Sequence, residues 1–113
     1  MEHTMQLRPA PFQMIQSGEK TIELRLYDEK RKQIRIGDTI RFVNTDSAEQ
    51  LVVRVEALYV FASFEELYNH LPLNECGYTA SNLKQAKPED MLEYYSLERQ
   101  KQYGVVGIQV ALR

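Results

Sequence analysis

The sequence contains one cysteine, Cys76, no tryptophan and two histidines, His3 and His70, among its 113 residues. A single cysteine excludes an internal disulfide, and two histidines so far apart do not have the spacing of a metal site. No apolar run approaches the roughly 18 residues of a membrane-spanning helix, and no signal-peptide pattern opens the chain. We therefore expect a cytoplasmic protein that uses no metal ion, no cofactor and no membrane.

The sequence also has no excess of positive charge. Fourteen Lys and Arg residues face sixteen Asp and Glu residues, for a net charge of -2. This balance argues against coating of duplex nucleic acid by bulk charge, because such binding needs many phosphate contacts. Five basic residues nevertheless lie between positions 30 and 41, opposed only by Asp38. This window predicts either a local basic patch or an ordinary solvated surface.

What is present is the composition of a globular domain, with 43% hydrophobic and 27% charged residues. The length predicts one domain over residues 1–113. Short apolar alternations, interrupted by short helical patterns, favour an α+β fold with a partly closed mixed β-barrel and flanking short helices. The predicted strands cover residues 3–7, 21–27, 34–36, 40–42, 51–61 and 105–112. The predicted helices cover residues 11–17, 64–71, 88–95 and 97–102.

The strand predicted over residues 21–27 alternates two kinds of side chain. Its apolar residues at positions 22, 24 and 26 share one face, which we expect to pack on a core. The opposite face carries Thr21, Glu23, Arg25 and Tyr27, an acid, a base and an aromatic in sequence. Two interpretations are open: a face that binds a ligand, or a solvated face on which Glu23 and Arg25 pair with each other.

Three segments of the chain together resemble a known family. They are the helix, Gly-x-Lys-Thr turn and strand of residues 7–25, the Ile-Gly-Asp-Thr-Ile-Arg-Phe segment of residues 36–42, and the closing Tyr-Gly-Val-Val-Gly-Ile of residues 103–108. In this order they resemble the ASCH family of the PUA-like superfamily, in particular its small stand-alone bacterial members. The resemblance extends from about position 5 to position 110 and implies a PUA-like fold.

The resemblance implies a cleft between the barrel and the helices, with the turn that holds Lys20 and Thr21 at the mouth of the cleft. It also implies an RNA segment or a nucleotide-like small molecule as the ligand. Lys20 and Arg25 would then hold an anionic or carbonyl group, because both side chains are hydrogen-bond donors with a positive charge. Glu23 and Glu75 would bond a base edge or transfer a proton.

An enzyme is the alternative that the resemblance leaves open. Related small amidohydrolases that act on N4-acetylcytidine use a lysine, a threonine three residues later as nucleophile, and a downstream glutamate. Lys20 and Glu75 match two of these residues, but Glu23 occupies the position of the threonine. The catalytic set would therefore be Lys20, Glu23 and Glu75, in a metal-independent hydrolase of RNA or of a modified nucleoside.

Aromatic residues near the predicted cleft are candidate stacking surfaces for bases. Tyr27, Tyr78, Tyr94 and Tyr103 are the candidates for this role, since stacking on tyrosine tolerates any base, and Tyr94 is alternatively a helix-core residue. Cys76 is either a buried hydrophobic residue or a nucleophile. A third possibility is a scaffold that docks another protein, which requires the apolar stretch at residues 58–61 to be exposed.

Overall fold

In the computed structural model, which describes residues 1–113, five strands form one sheet with three α-helices around it. The strands are β1 (Glu2–Leu7), β2 (Ile22–Leu26), β3 (Thr39–Asn44), β4 (Gln50–Phe61) and β5 (Val105–Leu112). The α-helices are α1 (Pro9–Ser17), α2 (Phe64–His70) and α3 (Leu97–Tyr103). Four 3₁₀ turns complete the structure, at Arg31–Gln33, Leu73–Glu75, Leu83–Gln85 and Pro88–Glu93.

The strands are arranged in the order β1-β3-β4-β5-β2. The β1–β3 pair is parallel, and the other three pairs are antiparallel. The sheet curves into a half-barrel whose two edge strands, β1 and β2, do not pair with each other; we call this open side the seam. The predicted α+β class, with a partly closed mixed barrel and short flanking helices, is confirmed.

Helix α1 ends at the predicted residue and begins two residues earlier than predicted, at Pro9. Proline occupies its first turn, where no backbone hydrogen bond is lost, and the helix buries Phe12 and Ile15. The helix ends at Gly18, which adopts a left-handed conformation with φ 87° while its N–H donates to the Ile15 carbonyl. This cap turns the chain directly into β2 and thereby sets the position of Lys20.

Two other predicted elements differ from the structure. Residues 34–36 do not form a strand, because the Asp28 carboxylate accepts from the backbone N–H of Arg31 at 3.1 Å and a 3₁₀ turn follows. Residues 88–95 form a 3₁₀ helix over Pro88–Glu93 rather than an α-helix. The side chain of Asp90 accepts from the backbone N–H of Lys87 at 3.2 Å and fixes the start of this turn.

Two hydrophobic cores lie on the two faces of the sheet. The first core packs α1 against one face of the sheet. It includes Phe12, Ile15, Phe42, Val53 and Ile108. The second core packs α2 and Met91 against the opposite face of β2 and β5. Because the two cores use opposite faces, both faces of β2 are covered.

Strand β4 is long enough to pair with β3 through its first half and with β5 through its second half. It bends at a register shift between Val55 and Ala57, so its second half continues along β5. Within the apolar stretch at residues 58–61 only Val60 is exposed, which leaves little of the surface that a docking scaffold would need. No helix in the structure has the length and apolar character required to cross a membrane.

Candidate functional site

A cleft of about 460 Å³ opens at the seam between β1 and β2. One side is built by the end of β1, by α1 and by β2, and the other by α2 and the segment after it. Since the seam has no strand pairing, backbone and side chains of both edge strands face the cleft. The cleft is lined by Gln6, Leu7, Arg8, Ala10, Pro11, Met14, Lys20, Glu23, Leu24, Arg25, Tyr68, Cys76, Gly77, Tyr78, Asn82, Asp90, Met91, Glu93, Tyr94 and Tyr95.

The polar face of β2 is directed into the half-barrel. The antiparallel register places Glu23 opposite Ile108 and Arg25 opposite Val106, and directly opposed residues share a face. Both partners belong to the first core. Glu23 is only 4% exposed, so the interpretation of this face as solvated is wrong, although the expected pairing of Glu23 with Arg25 is present. The apolar face of β2 packs on the second core, as predicted.

Glu23 is held between two cations. Its Oε1 lies 2.7 Å from Lys20 Nζ, and its Oε2 lies 2.8 Å from Arg25 Nε. Burial raises the pKa of Glu23, but the charges and hydrogen bonds of Lys20 and Arg25 outweigh burial and bring the pKa below its ordinary value. Two cations and one carboxylate leave one positive charge in excess within a buried cluster.

Arg25 also contacts the opposite edge of the sheet. Its Nη2 donates to the backbone carbonyl of Gln6 in β1 at 2.8 Å. Burial lowers the pKa of Arg25, and the adjacent Glu23 carboxylate raises it further than burial lowers it, so the guanidinium is charged. A side chain therefore bridges the seam where backbone pairing is missing.

Lys20 lies against the backbone at Gly77. A Cβ atom built on Gly77 would stand 3.5 Å from Lys20 Cδ and 3.7 Å from Lys20 Nζ. Gly77 also has a φ of 112°, a conformation that side chains disfavour. The glycine thus lets the segment after α2 come close to the lysine and brings the two sides of the cleft together.

A chain of hydroxyl groups ends on a carboxylate in the same cleft. The hydroxyls of Tyr68 and Tyr78 lie 2.7 Å apart, and Tyr78 donates to Asp90 Oδ2 at 2.7 Å. Burial raises the pKa of Tyr68 to about 12. Burial also raises the pKa of Tyr78, together with its bonds to Tyr68 and Asp90. Both phenols are therefore protonated at neutral pH.

The rim of the cleft carries a cation stacked on an aromatic ring. Arg8 Cζ lies 4.9 Å from the centroid of the Tyr94 ring, and Arg8 Nη1 lies 3.4 Å from Glu93 Oε1. Tyr94 is 50% exposed, which leaves much of its ring open to solvent. This pair offers a planar aromatic and a guanidinium beside the buried cluster.

Glu75 and Thr21 were predicted to reach the cleft, but the structure places both outside its lining. Thr21 donates from Oγ1 to Glu75 Oε1 at 2.8 Å, and the Thr21 backbone N–H donates to the Glu75 carbonyl at 2.9 Å. These bonds tie the segment after α2 to the start of β2. The predicted convergence of Lys20, Glu23 and Glu75 therefore holds for Lys20 and Glu23 only.

The tyrosines proposed for stacking have different surroundings. Tyr78 lines the cleft, but its ring stands edge-on to Tyr68 at 5.9 Å and its hydroxyl is bonded. Tyr27 packs against the first core beneath Lys32 Nζ. Tyr103 packs against the second core, with Arg99 Cζ 6.0 Å from its ring centroid. Neither Tyr27 nor Tyr103 lines the cleft.

Cys76 also lines the cleft. Burial raises the pKa of its thiol to about 12, more than Lys20 lowers it. The thiol is therefore protonated at neutral pH, which favours the buried hydrophobic role over that of a nucleophile. No group of three or more His, Cys, Asp or Glu side chains in the structure could hold a metal ion.

Several polar residues of the cleft were not among the predicted site residues, including Gln6, Arg8, Tyr68, Asn82, Asp90 and Glu93. Gln6 contributes its backbone carbonyl, for which no sequence signal exists. Tyr68 lies within a helical pattern and Asp90 in the first turn of a predicted helix, where both have ordinary structural explanations. Only the three-dimensional path of the chain brings them to Lys20.

A curved five-stranded mixed sheet with an open seam and short flanking helices defines a PUA-like domain with a cleft at its mouth. A family model for the ASCH domain matches residues 5–112, and the chain belongs to the ASCH domain family. No curated protein matches the sequence.

Solved structures of similar proteins agree with this fold. The hypothetical protein PH0355 is 33% identical over 100% of both chains, with a TM-score of 0.83. Protein PF0455 from Pyrococcus furiosus, solved by NMR, is 35% identical over 99% of this chain and 97% of its own, with a TM-score of 0.75. The S128A mutant of ZmASCH from Zymomonas mobilis is 16% identical over 97% of this chain and 67% of its own, with a TM-score of 0.68, and supports the fold alone.

Proposed function

We propose that residues 1–113 form a single ASCH domain whose cleft, built beside the Gly-x-Lys-Thr turn, binds single-stranded RNA or a nucleotide-like small molecule. The observation that carries this proposal is the buried cluster of Lys20, Glu23 and Arg25, with its one excess positive charge facing the cleft. ASCH domains are generally RNA-binding, which agrees with an anionic ligand.

The cluster has hydrogen-bond donors to spare. Lys20 offers three N–H groups and uses one on Glu23, while Arg25 offers five and uses one on Glu23 and one on Gln6. Each donor sits in a partly dry cleft, where a charge-assisted bond to a phosphate or carbonyl oxygen is stronger than at an open surface. Lys20 and Arg25 are therefore the residues proposed to contact the ligand.

The dimensions of the cleft fit one nucleotide-sized group. Its volume of about 460 Å³ falls within the roughly 300–1,000 Å³ of small-molecule sites. The open Tyr94 ring at the rim supplies a stacking surface for a base whose phosphate or carbonyl oxygen meets the cluster. Thr21 and Glu75 act as positioning residues, because their mutual bonds hold the segment that carries Gly77 and Tyr78.

The hydrolase alternative has weaker support. A general base needs a carboxylate with an available lone pair and a pKa near the working pH. Glu23 instead has both oxygens bonded to cations, which lower its pKa. The Thr21 hydroxyl does donate to the Glu75 carboxylate, as in an activated nucleophile, but this pair lies outside the cleft lining.

Binding is tested with Lys20→Gln and a matched control, Lys30→Gln, which removes the same charge from an exposed loop outside the cleft. Labelled single-stranded RNA is titrated into each protein at several salt concentrations. We expect Lys20→Gln to bind more weakly and to lower the slope of log K against log salt by about 0.7, the value for one lost phosphate contact on a single strand. Equal affinities for the two variants would contradict the proposal.

The same proteins test for catalysis. Purified wild-type protein is incubated with end-labelled RNA and with N4-acetylcytidine, and the products are separated. The binding proposal predicts intact RNA and intact nucleoside. Turnover that is lost in both Glu23→Gln and Glu75→Gln, with folding retained, would favour the hydrolase.

A further inference from the structure

The hydroxyl chain of the cleft has a fixed direction. As a carboxylate, Asp90 has no proton to donate, so the single proton of the Tyr78 hydroxyl goes to Asp90 Oδ2. The Tyr68 hydroxyl must then be the donor in its bond to Tyr78. Every proton of the chain is directed toward Asp90, and each phenol hydrogen is already used within the protein.

What remains free at Tyr68 and Asp90 is a set of acceptors. The Tyr68 oxygen accepts no bond from the protein. Asp90 Oδ2 accepts from Tyr78 and from the Lys87 backbone, whereas Oδ1 has no protein donor and is not a buried atom. Tyr68 and Asp90, which both line the cleft, therefore carry lone pairs and no free protons.

The opposite side of the cleft presents hydrogen-bond donors from Lys20 and Arg25. Lys20 and Arg25 present N–H groups, and both oxygens of Glu23 are already bonded. The two sides meet at Gly77, whose backbone lies against Lys20 and continues directly into Tyr78. A ligand in the cleft thus meets donors at Lys20 and Arg25 and acceptors at Tyr68 and Asp90.

We propose that the cleft selects nucleotides whose base carries an amino group at C4 of a pyrimidine or C6 of a purine, with that group donating to the acceptors of Tyr68 and Asp90, which Tyr78 links. The inference rests on the proposed function, because it requires Lys20 and Arg25 to hold the phosphate or a carbonyl oxygen. Cytosine and adenine have this amino group. Uracil and hypoxanthine place a carbonyl oxygen at the corresponding position, against lone pairs that it cannot satisfy.

The hydroxyl groups of Tyr68 and Tyr78 stay protonated over the neutral pH range, so their hydrogen bonds keep the direction toward Asp90. Burial holds the pKa of Tyr68 near 12, so no phenolate forms. A mismatched base would cover these acceptors without giving them a partner, and such losses discriminate more strongly than lost apolar contacts. We expect a preference of about tenfold or more, the equivalent of one missing hydrogen bond.

The experiment is a calorimetric titration of CMP, AMP, UMP and IMP into wild type, Asp90→Asn, Tyr78→Phe and the control Tyr59→Phe. In Asp90→Asn, the amide oxygen can still accept from Tyr78 and Lys87, while the amide nitrogen replaces Oδ1 and offers a donor. The Tyr59 hydroxyl bonds Gln109 outside the cleft, so its removal matches the chemical change in Tyr78→Phe.

We expect wild type and Tyr59→Phe to prefer CMP over UMP and AMP over IMP. Tyr78→Phe should lose most of this preference, and Asp90→Asn should shift it toward UMP and IMP. Equal binding of all four nucleotides by wild type, or an unchanged preference in both cleft variants, would overturn the inference while the proposed function stands. Failure of wild type to bind any nucleotide or RNA would overturn both.

Discussion

Arg25 Nη2 and the carbonyl oxygen of Gln6 are 2.8 Å apart, and this hydrogen bond joins the two edge strands of the sheet. No backbone pairing connects β1 with β2, so the half-barrel is bridged here by a side chain. The same guanidinium donates from Nε to Glu23. Arg25 thus combines two tasks, bridging the seam and orienting the charge cluster of the cleft.

Replacement of Arg25 by lysine should show whether the positive charge of this side chain or its two directed hydrogen bonds stabilise the fold. A lysine keeps the positive charge but has no planar fork that can donate to Glu23 and Gln6 together. We expect Arg25→Lys to lose about 1 to 3 kcal/mol of unfolding free energy in urea denaturation, with faster amide exchange in β1. The control is Arg54→Lys, at an exposed pair with Glu56. Equal stability of both variants would contradict the bridging role.

Removal of the Glu23 charge should lower the free energy of unfolding substantially. In Glu23→Gln the cations Lys20 and Arg25 remain buried without a counter-charge. Breaking a buried ion pair on one side typically costs about 3 to 5 kcal/mol, and urea denaturation measures this loss. Glu56→Gln, at the exposed pair with Arg54, should lose no more than about 1 kcal/mol. Similar losses for both variants would show that the cluster does not stabilise the fold.

The contribution of Glu23 should depend on pH in a defined direction. Its pKa in the folded protein is below the ordinary value of 4.5. The unfolded chain therefore takes up the proton first as the pH falls, and stability that is fully present above pH 4.5 is lost below it. The difference in unfolding free energy between wild type and Glu23→Gln should shrink as the pH is lowered from 6 toward 3.

The low pKa of Asp38 does not affect that comparison. A hydrogen bond from His3 is the main cause that holds the pKa of Asp38 at about 2, but this group is the same in both proteins. The difference therefore isolates Glu23. A gap that stays constant across this pH range would contradict the charge-cluster explanation.

Tyr94 should contribute to RNA affinity. Its half-exposed ring lies at the rim of the cleft, and stacking on one aromatic side chain is worth about 1 to 3 kcal/mol per base. We expect Tyr94→Ala to weaken binding of single-stranded RNA by that amount in a fluorescence titration. Tyr103→Ala, outside the cleft, should lower stability but leave affinity unchanged at a temperature where both variants are folded. The reverse ranking would support the stacking role predicted for Tyr103.

The parts of the fold that follow from local sequence were predictable. The prolines in the first turn of α1 fix the start of that helix and the positive φ of Gly18 fixes its end, while the Ser63 side chain accepts from the Glu66 N–H at the start of α2. Strand β5 has the predicted bounds. Each of these features depends on residues within one turn or one strand of each other.

The site was predictable only where its residues are neighbours in sequence. Lys20, Glu23 and Arg25 belong to one turn and strand, so their pattern pointed to a shared face. The sequence did not reveal that this face is buried, because burial depends on the antiparallel register with Val106 and Ile108. Asp90 reaches the cleft through a long segment of 3₁₀ turns that no periodic pattern specifies.

The most direct test of the central claim is a map of backbone amide shifts in ¹⁵N-labelled protein during titration with a short single-stranded RNA. A ligand in the seam cleft should perturb the amides of the segments that line it, including Lys20, Arg25, Gly77 and Tyr94, and Lys20→Gln should suppress those changes. Perturbations confined to the basic window at residues 30–41, with the cleft amides unchanged, would contradict the assignment of the cleft as the binding site.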